Sequence, residues 1–274
     1  MIRSLLNGIP RDQLSVLDRG LQFGDGLFET LAIVENNLCL WDQHMQRLQA
    51  GCARLGIAAP DCRLLRQEAT RLVADQRQAA LKIIITRGVS ERGYKPAAAA
   101  SPTRILSLSS WDGPCSDPLR VSVSRRRLGW NPDLAGIKHL NRLEQVLARM
   151  DCAEDVQEAL MLDMRDQVVE GIMSNLFFHK RRQLFTPSLD QCGVEGVVRK
   201  LVLAMAKDRD IEIITGRFTL DDVLQSDALY LTSALGGIRC VSEIAGHDWK
   251  PKASFHPFLA EVAERVFGMD DSVC

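Results

Sequence analysis

The run Leu134-Ala135-Gly136-Ile137-Lys138-His139-Leu140-Asn141-Arg142-Leu143-Glu144-Gln145-Val146-Leu147 carries the decisive reading of this 274-residue chain. A stretch punctuated by Gly129, Pro132 and Gly136 leads into it, and helical apolar spacing follows, so Lys138 is expected where a loop becomes a helix. Such a position aims an amine and holds it. Downstream, Val168-Val169-Glu170-Gly171 sets one carboxylate beside a glycine between two apolar runs. Taken singly, the lysine reads as a solvated charge at a helix start and the glutamate as an ordinary strand residue. The rest of the chain decides what they mean together.

The bulk properties exclude several classes of function. A formal net charge of -1 with interspersed signs leaves no electrostatic footprint for nucleic acid or an anionic membrane. No apolar run is long enough to span a bilayer, and the first residues lack a signal-peptide core. The eight cysteines are scattered without Cys-x-x-Cys spacing, the pattern of reduced thiols, and a cytoplasmic protein is expected. Five histidines (His44, His139, His179, His247, His256) show no metal-ligand spacing, so no metal is expected.

Residues 27–34 read as a strand, 35–37 as a turn and 38–40 as the return of a hairpin. Asp42 is expected to cap a helix bearing Met45, Leu48, Cys52 and Leu55, with Gly56 as its stop. A second helix follows Asp61, with Leu64, Leu65, Leu72 and Val73 apolar, then strands at 81–86 and 104–109 flank a long loop. Residues 111–118 are dense in turn formers and read as a linker. Beyond it, strands are expected at 119–124, 158–162, 168–170, 176–178, 184–186, 211–215 and 228–232. Helices are expected to carry Leu140, Leu143, Val146, Leu147 and Met150, and to start near Gly196, Thr219 and Phe255. No repeat is visible, and the only low-complexity tract is the short alanine run at 97–100. The expected class is α+β (mixed α/β): an N-terminal domain at 1–112, a linker at 113–118, a C-terminal domain at 119–274, and a cleft between the domains near Lys138.

An amine and a carboxylate so placed suit one cofactor. A lysine forms a Schiff base with the aldehyde of pyridoxal 5'-phosphate, and a carboxylate keeps the pyridine nitrogen protonated so that the ring acts as electron sink. The phosphate needs an anion site. Glu195-Gly196-Val197-Val198-Arg199 offers backbone amides at a helix start, and Arg47 offers a charged fork. The simpler readings are a glycine before a helix and a solvated arginine.

Jointly the fragments resemble the fold-type IV pyridoxal phosphate enzymes, which include branched-chain and D-amino acid aminotransferases and aminodeoxychorismate lyases. The likeness runs over essentially the whole chain, and it implies a two-domain fold with the active site in the interdomain cleft and a cofactor-binding C-terminal domain. It implies that Lys138 is the Schiff-base lysine, that Glu170 pairs with the pyridine nitrogen, and that Ser174 and Asn175 support it. Val194 would pack on the ring, while Arg47 and the amides of Val197 and Val198 would bind the phosphate. Gly24-Asp25-Gly26-Leu27-Phe28-Glu29 is similar to the family's entry to the substrate-side strand.

Within the group, the opening run together with Arg127-Leu128-Gly129 and Asn131-Pro132 is similar to the lyases nearly residue for residue. Arg92-Gly93-Tyr94 resembles the lyase loop that binds a substrate carboxylate. Two departures separate the chain from the aminotransferases. Phe28 stands where those enzymes carry a tyrosine, and Ser233-Ala234-Leu235-Gly236 replaces a phosphate loop built on a threonine hydroxyl. The likeness implies conversion of 4-amino-4-deoxychorismate to 4-aminobenzoate and pyruvate, a step of folate biosynthesis. Lys138 would be the general base, and Thr30, on the same strand face as Phe28, would help protonate the enolpyruvyl group. A homodimer and a functional link to aminodeoxychorismate synthase are implied as well. An aminotransferase of the same fold is the alternative, and a non-catalytic α/β binding protein the remote one.

Overall fold

A computed structural model describes residues 3–74, 76–97, 100–252 and 255–268; two residues of the alanine tract at 97–100, and Cys274, lie outside the described residues. The chain divides into two compact units, Met1–Gly113 with Ile137–Asn141 and Phe267–Cys274, and Pro114–Gly136 with Arg142–Val266. The class is mixed α/β, with one sheet and its own helices in each unit.

The first unit runs β1 (Ser4–Leu6), β2 (Ile9–Pro10), α1 (Arg19–Phe23), β3 (Gly26–Val34), β4 (Asn37–Leu38), α2 (Trp41–Leu55), α3 (Cys62–Val73), β5 (Gln78–Thr86) and β6 (Thr103–Ser109). Its strands form an antiparallel sheet in the order β2-β1-β6-β5-β3-β4. Period-two alternation along β3 buries Leu27, Glu29, Leu31 and Ile33 and leaves Phe28 and Thr30 half-buried on the opposite face. Helix α2 packs on β3 and α3 on β1 and β6, so that Met45, Leu48, Cys52, Leu65 and Ala69 are buried, as are Leu81, Ile83, Ile85 and Leu106 of the sheet.

Three local expectations need correction here. Helix α2 begins before the expected cap: Leu40, left-handed at φ 52°, precedes Trp41, and Asp42 lies in the first turn. The hairpin return is only Asn37–Leu38, because Glu35 and Asn36 (φ 46° and 65°) make a tight two-residue turn and Cys39 and Leu40 already bend into α2. Most consequential, Lys138 does not start a helix. His139 bridges Leu27 antiparallel, the Lys138 carbonyl accepts from the Phe28 amide at 3.0 Å, and the Leu140 amide donates to Gly26 at 3.0 Å. These strand-like bonds satisfy the backbone in extended form and delay the helix to Leu143.

The second unit runs β7 (Leu119–Leu128), α4 (Leu143–Met150), β8 (Glu158–Asp163), β9 (Gln167–Gly171), β10 (Asn175–Lys180), β11 (Gln183–Pro187), α5 (Val197–Asp208), β12 (Ile213–Gly216), β13 (Phe218–Thr219), α6 (Leu220–Leu224), β14 (Ala228–Ser233), β15 (Gly237–Ile244) and α7 (Pro257–Val266). Its nine-stranded sheet has the order β12-β11-β10-β14-β15-β7-β8-β9-β13, with β11/β12, β15/β7 and β7/β8 parallel. Every residue of β8 is buried, as a strand inside a sheet covered on both faces demands. One core joins Leu160, Leu176, Phe178, Leu231 and Val241, and a second joins Leu128, Ala148, Met161, Val169 and Cys192.

Strand β15 has no counterpart among the expected elements. A register shift between Val241 and Glu243 breaks its apolar alternation, and alternation is the signal by which a strand is read. The expected apolar stripe of α4 is also turned outward: Leu143, Val146, Leu147 and Met150 are exposed, while Gln145 and Ala148 are buried. Packing of α4 on β7 and β8 selects the small Ala148 for the close contact. Strand β7 extends to Leu128, β12 starts at Ile213 because the Ile211 amide bonds back to Ala206, and α7 starts at Pro257.

Candidate active site

In the first unit one face of β3 carries Phe28 and Thr30. The Lys138 Nζ lies 4.5 Å from the Phe28 ring centroid, and the Lys82 Nζ lies 5.0 Å from the same centroid. Register places Lys82 directly across from Thr30, so two amines, a hydroxyl and an aromatic ring share one patch. Lys82 was not singled out from sequence; its signal is a lone cation within the apolar run Ala79 to Ile85.

On the buried face of β3, Glu29 receives Arg47 Nε at 2.9 Å and His44 Nδ1 at 2.6 Å, with a further bond from Arg47 Nη2. Burial pushes the Glu29 carboxyl upward, but the charge and hydrogen bonds of Arg47, with His44, hold it down at about 2. It is therefore ionised, and His44 must donate through Nδ1. Burial keeps the imidazole below its ordinary value against the pull of Glu29, so the ring is neutral, and its buried Nε2 has no hydrogen-bond partner among the described residues. Arg47 is thus a buried group oriented by an anion rather than an open fork. Sequence reasoning passed over Glu29, although its period places a carboxylate in phase with Leu27 and Leu31.

The Arg92 side chain is exposed, and Tyr94 is 85% exposed with its ring 5.4 Å from Phe23.

In the second unit, Glu170 is 4% exposed, and its Oε2 accepts from the Val194 amide at 2.8 Å and Asn175 Nδ2 at 3.4 Å. Asn175 also donates to the Val194 carbonyl at 2.8 Å and accepts from the Gly196 amide at 2.9 Å. One side chain therefore ties the start of β10 to the turn carrying Val194 and to the start of α5. Gly136 bridges Val194 in parallel fashion and completes that turn. Ser174 Oγ donates to Glu158, which also accepts from the amides of Ala159, Ile172 and Met173. Glu158 was missed; a carboxylate heading the wholly buried β8 was the available signal. Burial, with the Glu170 charge next, pushes the Cys192 thiol up to about 12, so it stays protonated.

Helix α5 opens at Gly196, which makes no side-chain cap. A Cβ at Gly196 would overlap the Asn175 amide oxygen. Ser233 Oγ accepts from the Gly236 amide at 2.9 Å across the turn that holds Ala234.

Taken unit by unit, the chemistry of these groups is of the kind that pyridoxal 5'-phosphate requires. The second unit supplies a buried carboxylate for a ring nitrogen and an uncapped helix start for a phosphate; the first supplies an amine beside an aromatic ring.

Comparison with known proteins fixes the class. The amino-transferase class IV model matches residues 26–244, and the chain belongs to that family of fold-type IV enzymes, whose cofactor is pyridoxal 5'-phosphate. The chain is 33% identical over 252 residues to the aminodeoxychorismate lyase of Vibrio harveyi, covering 89% of this chain and 92% of that protein. It is 32% identical over 244 residues to a protein of Methanocaldococcus jannaschii assigned to the branched-chain-amino-acid aminotransferases, covering 85% and 83%. The crystal structure of 4-amino-4-deoxychorismate lyase from Pseudomonas aeruginosa matches with a TM-score of 0.86 at 38% identity, over 96% of this chain and 97% of that one.

Proposed function

We propose that the protein is an aminodeoxychorismate lyase, converting 4-amino-4-deoxychorismate to 4-aminobenzoate and pyruvate. The observation that carries this reading is the ring of Phe28 under the Lys138 amine, at the strand position where the aminotransferases place a phenol. The half-buried Thr30 hydroxyl on the same face and the lyase-like run 134–147 support it.

When bound, pyridoxal 5'-phosphate supplies an electron sink for the charge that develops at the substrate carbon bearing the nitrogen. Lys138 would hold the cofactor at its aldehyde, and its amine would take the proton from the substrate carbon bearing the nitrogen. Glu170 would hold the ring nitrogen and keep it protonated. Arg47, held in orientation by Glu29, the amides of Val197 and Val198, and Ser233 with Ala234 would hold the phosphate. Val194 would help to hold the ring. Arg92, Tyr94 and Lys82 meet the two substrate carboxylates, the arginine as a bidentate fork. The bond between the ring carbon and the ether oxygen would break, the enolpyruvyl group leaving with that oxygen as the ring becomes aromatic, and Thr30 would relay the proton taken by Lys138 to the enol methylene to complete pyruvate. The acid–base part of such a reaction is worth on the order of 10²–10⁴-fold.

We also place the protein in the cytoplasm as a homodimer that takes its substrate from aminodeoxychorismate synthase; light scattering on the purified protein checks the dimer. The reaction itself is tested by offering 4-amino-4-deoxychorismate to the cofactor-loaded protein and following 4-aminobenzoate fluorescence with pyruvate release. Amino-group exchange between amino acids and keto acids, without 4-aminobenzoate, would instead assign it to the aminotransferases.

A further inference from the structure

Arg19 is 3% exposed at the first position of α1, and the reaction proposed above gives it nothing to do. Its guanidinium nonetheless makes four hydrogen bonds. Nε donates to Asp25 Oδ2 at 2.8 Å, Nη1 to Ser90 Oγ at 3.2 Å and to the Gly93 carbonyl at 2.9 Å, and Nη2 to the Tyr94 carbonyl at 2.8 Å. Its carbon lies 4.8 Å from the Phe23 ring centroid, and that ring lies 5.4 Å from Tyr94. Asp25 is fixed in turn by Arg87 at 2.8 Å. The incoming end of the loop is docked as well: the Arg19 amide donates to Gly88 at 2.9 Å, the Ser90 amide to Leu17 at 3.3 Å, and Val89 bridges Asp18.

Between β5 and β6 the chain forms no helix and no named strand among the described residues, so its path past Ser90 depends on side chains. Arg19 provides three of those bonds, and two of them fall on the carbonyls that directly follow Arg92. A loop held by its own carbonyls leaves its side chains outward, in keeping with the exposure of Arg92 and Tyr94. The planar five-donor fork is what the arrangement needs; an ammonium cannot serve a carboxylate, a hydroxyl and two carbonyls in one plane.

We propose that Arg19 is the positioning residue of the carboxylate-binding loop, holding Arg92 and Tyr94 in the bound arrangement before substrate arrives. The inference rests on the assignment of that loop to substrate binding. Preorganisation lowers the ordering cost at binding, so its loss falls on KM rather than on the chemical step.

The test uses Arg19→Lys in the holoenzyme, with Ser90→Ala as a milder second variant that removes one clamp bond. Limited trypsinolysis at the Arg92–Gly93 bond reads the loop without substrate. The expected result for Arg19→Lys is nicking faster by about tenfold or more, and a KM for aminodeoxychorismate raised on the order of tenfold with kcat nearly kept. Ser90→Ala should move both readouts the same way by a smaller factor, and the cofactor absorption band should be unchanged in both. Nicking and KM within twofold of the parent in both variants would overturn the proposal. So would joint loss of the cofactor band and thermal stability in Arg19→Lys with Ser90→Ala unaffected, which would make Arg19 a core residue only. A parent protein that makes no 4-aminobenzoate sinks the lyase reading instead, and the nicking rates still decide the clamp.

Discussion

At the residue scale, the chemistry is concentrated in a few charges whose surroundings determine what they do. The Lys138 amine lies over the Phe28 ring, as does that of Lys82, and the Lys138 backbone is bonded to β3, so the amine is delivered by a strand-like segment. Lys138→Ala should lose the absorption band of the lysine-bound cofactor and all turnover; a variant retaining the band would remove Lys138 from the mechanism. Glu170→Ala should keep some cofactor but lose roughly 100-fold or more in turnover, the scale of removing a group that stabilises developing charge. Glu29 gives a prediction in pH. Its folded-state value of about 2 lies below the ordinary 4.5, so its contribution to stability is fully present above 4.5 and is lost as pH falls toward 2. In Glu29→Gln that part of the acid-side fall in Tm should vanish, while Tm at pH 7 drops because Arg47 is left buried without its anion, a cost of about 3–5 kcal/mol. Equal acid-side slopes in parent and variant would show that Glu29 is not the group being titrated.

At the element scale, the start of α5 is built by three short pieces of chain that Asn175 ties together. Gly196 has φ -63°, which any residue adopts, so an alanine there meets no backbone strain, only the Asn175 amide oxygen. Gly196→Ala should therefore weaken cofactor affinity by about tenfold or more, read by titrating the apoprotein with pyridoxal 5'-phosphate, with little change in far-UV circular dichroism. An unchanged affinity would take the α5 amides out of the phosphate site. Much of this scale was legible in advance. The caps at Asp61 and Thr219, the stop at Gly56 and the helix after Gly196 are local features, written in neighbouring residues. What was not legible depended on distant partners. Segment 137–141 is extended because β3 offers it hydrogen bonds more than 100 positions earlier in the chain, and β15 carries a bulge that hides its period. The outward stripe of α4 makes the same point, since an amphipathic pattern says that a helix has an apolar side and not which side a sheet will cover.

At the scale of the whole molecule, each unit has its own sheet and buried core, and a ligand that binds only the folded chain stabilises it by mass action. Cofactor at a hundredfold excess over its dissociation constant contributes about 2.7 kcal/mol. Stripping it should lower Tm by roughly 5–10 °C for a chain of this size, and adding it back should restore Tm in the parent but not in Gly196→Ala. A melting curve indifferent to cofactor in the parent protein would contradict tight binding to the folded chain.

By itself the sequence determined the family, the cofactor class and most of the regular elements, and it singled out Lys138 and Glu170 as the residues to test. Those depend on residue identity and on short-range spacing, which covalent order preserves. Only the tertiary structure decided that Lys138 sits on an extended segment, that Arg47 and His44 both bond to Glu29, that Glu158 organises the turn before Asn175, and that Arg19 holds the loop of Arg92. Each of those facts is a hydrogen-bond partner chosen across many residues of chain. Such partners are selected by which buried polar groups must be satisfied once the sheets have formed.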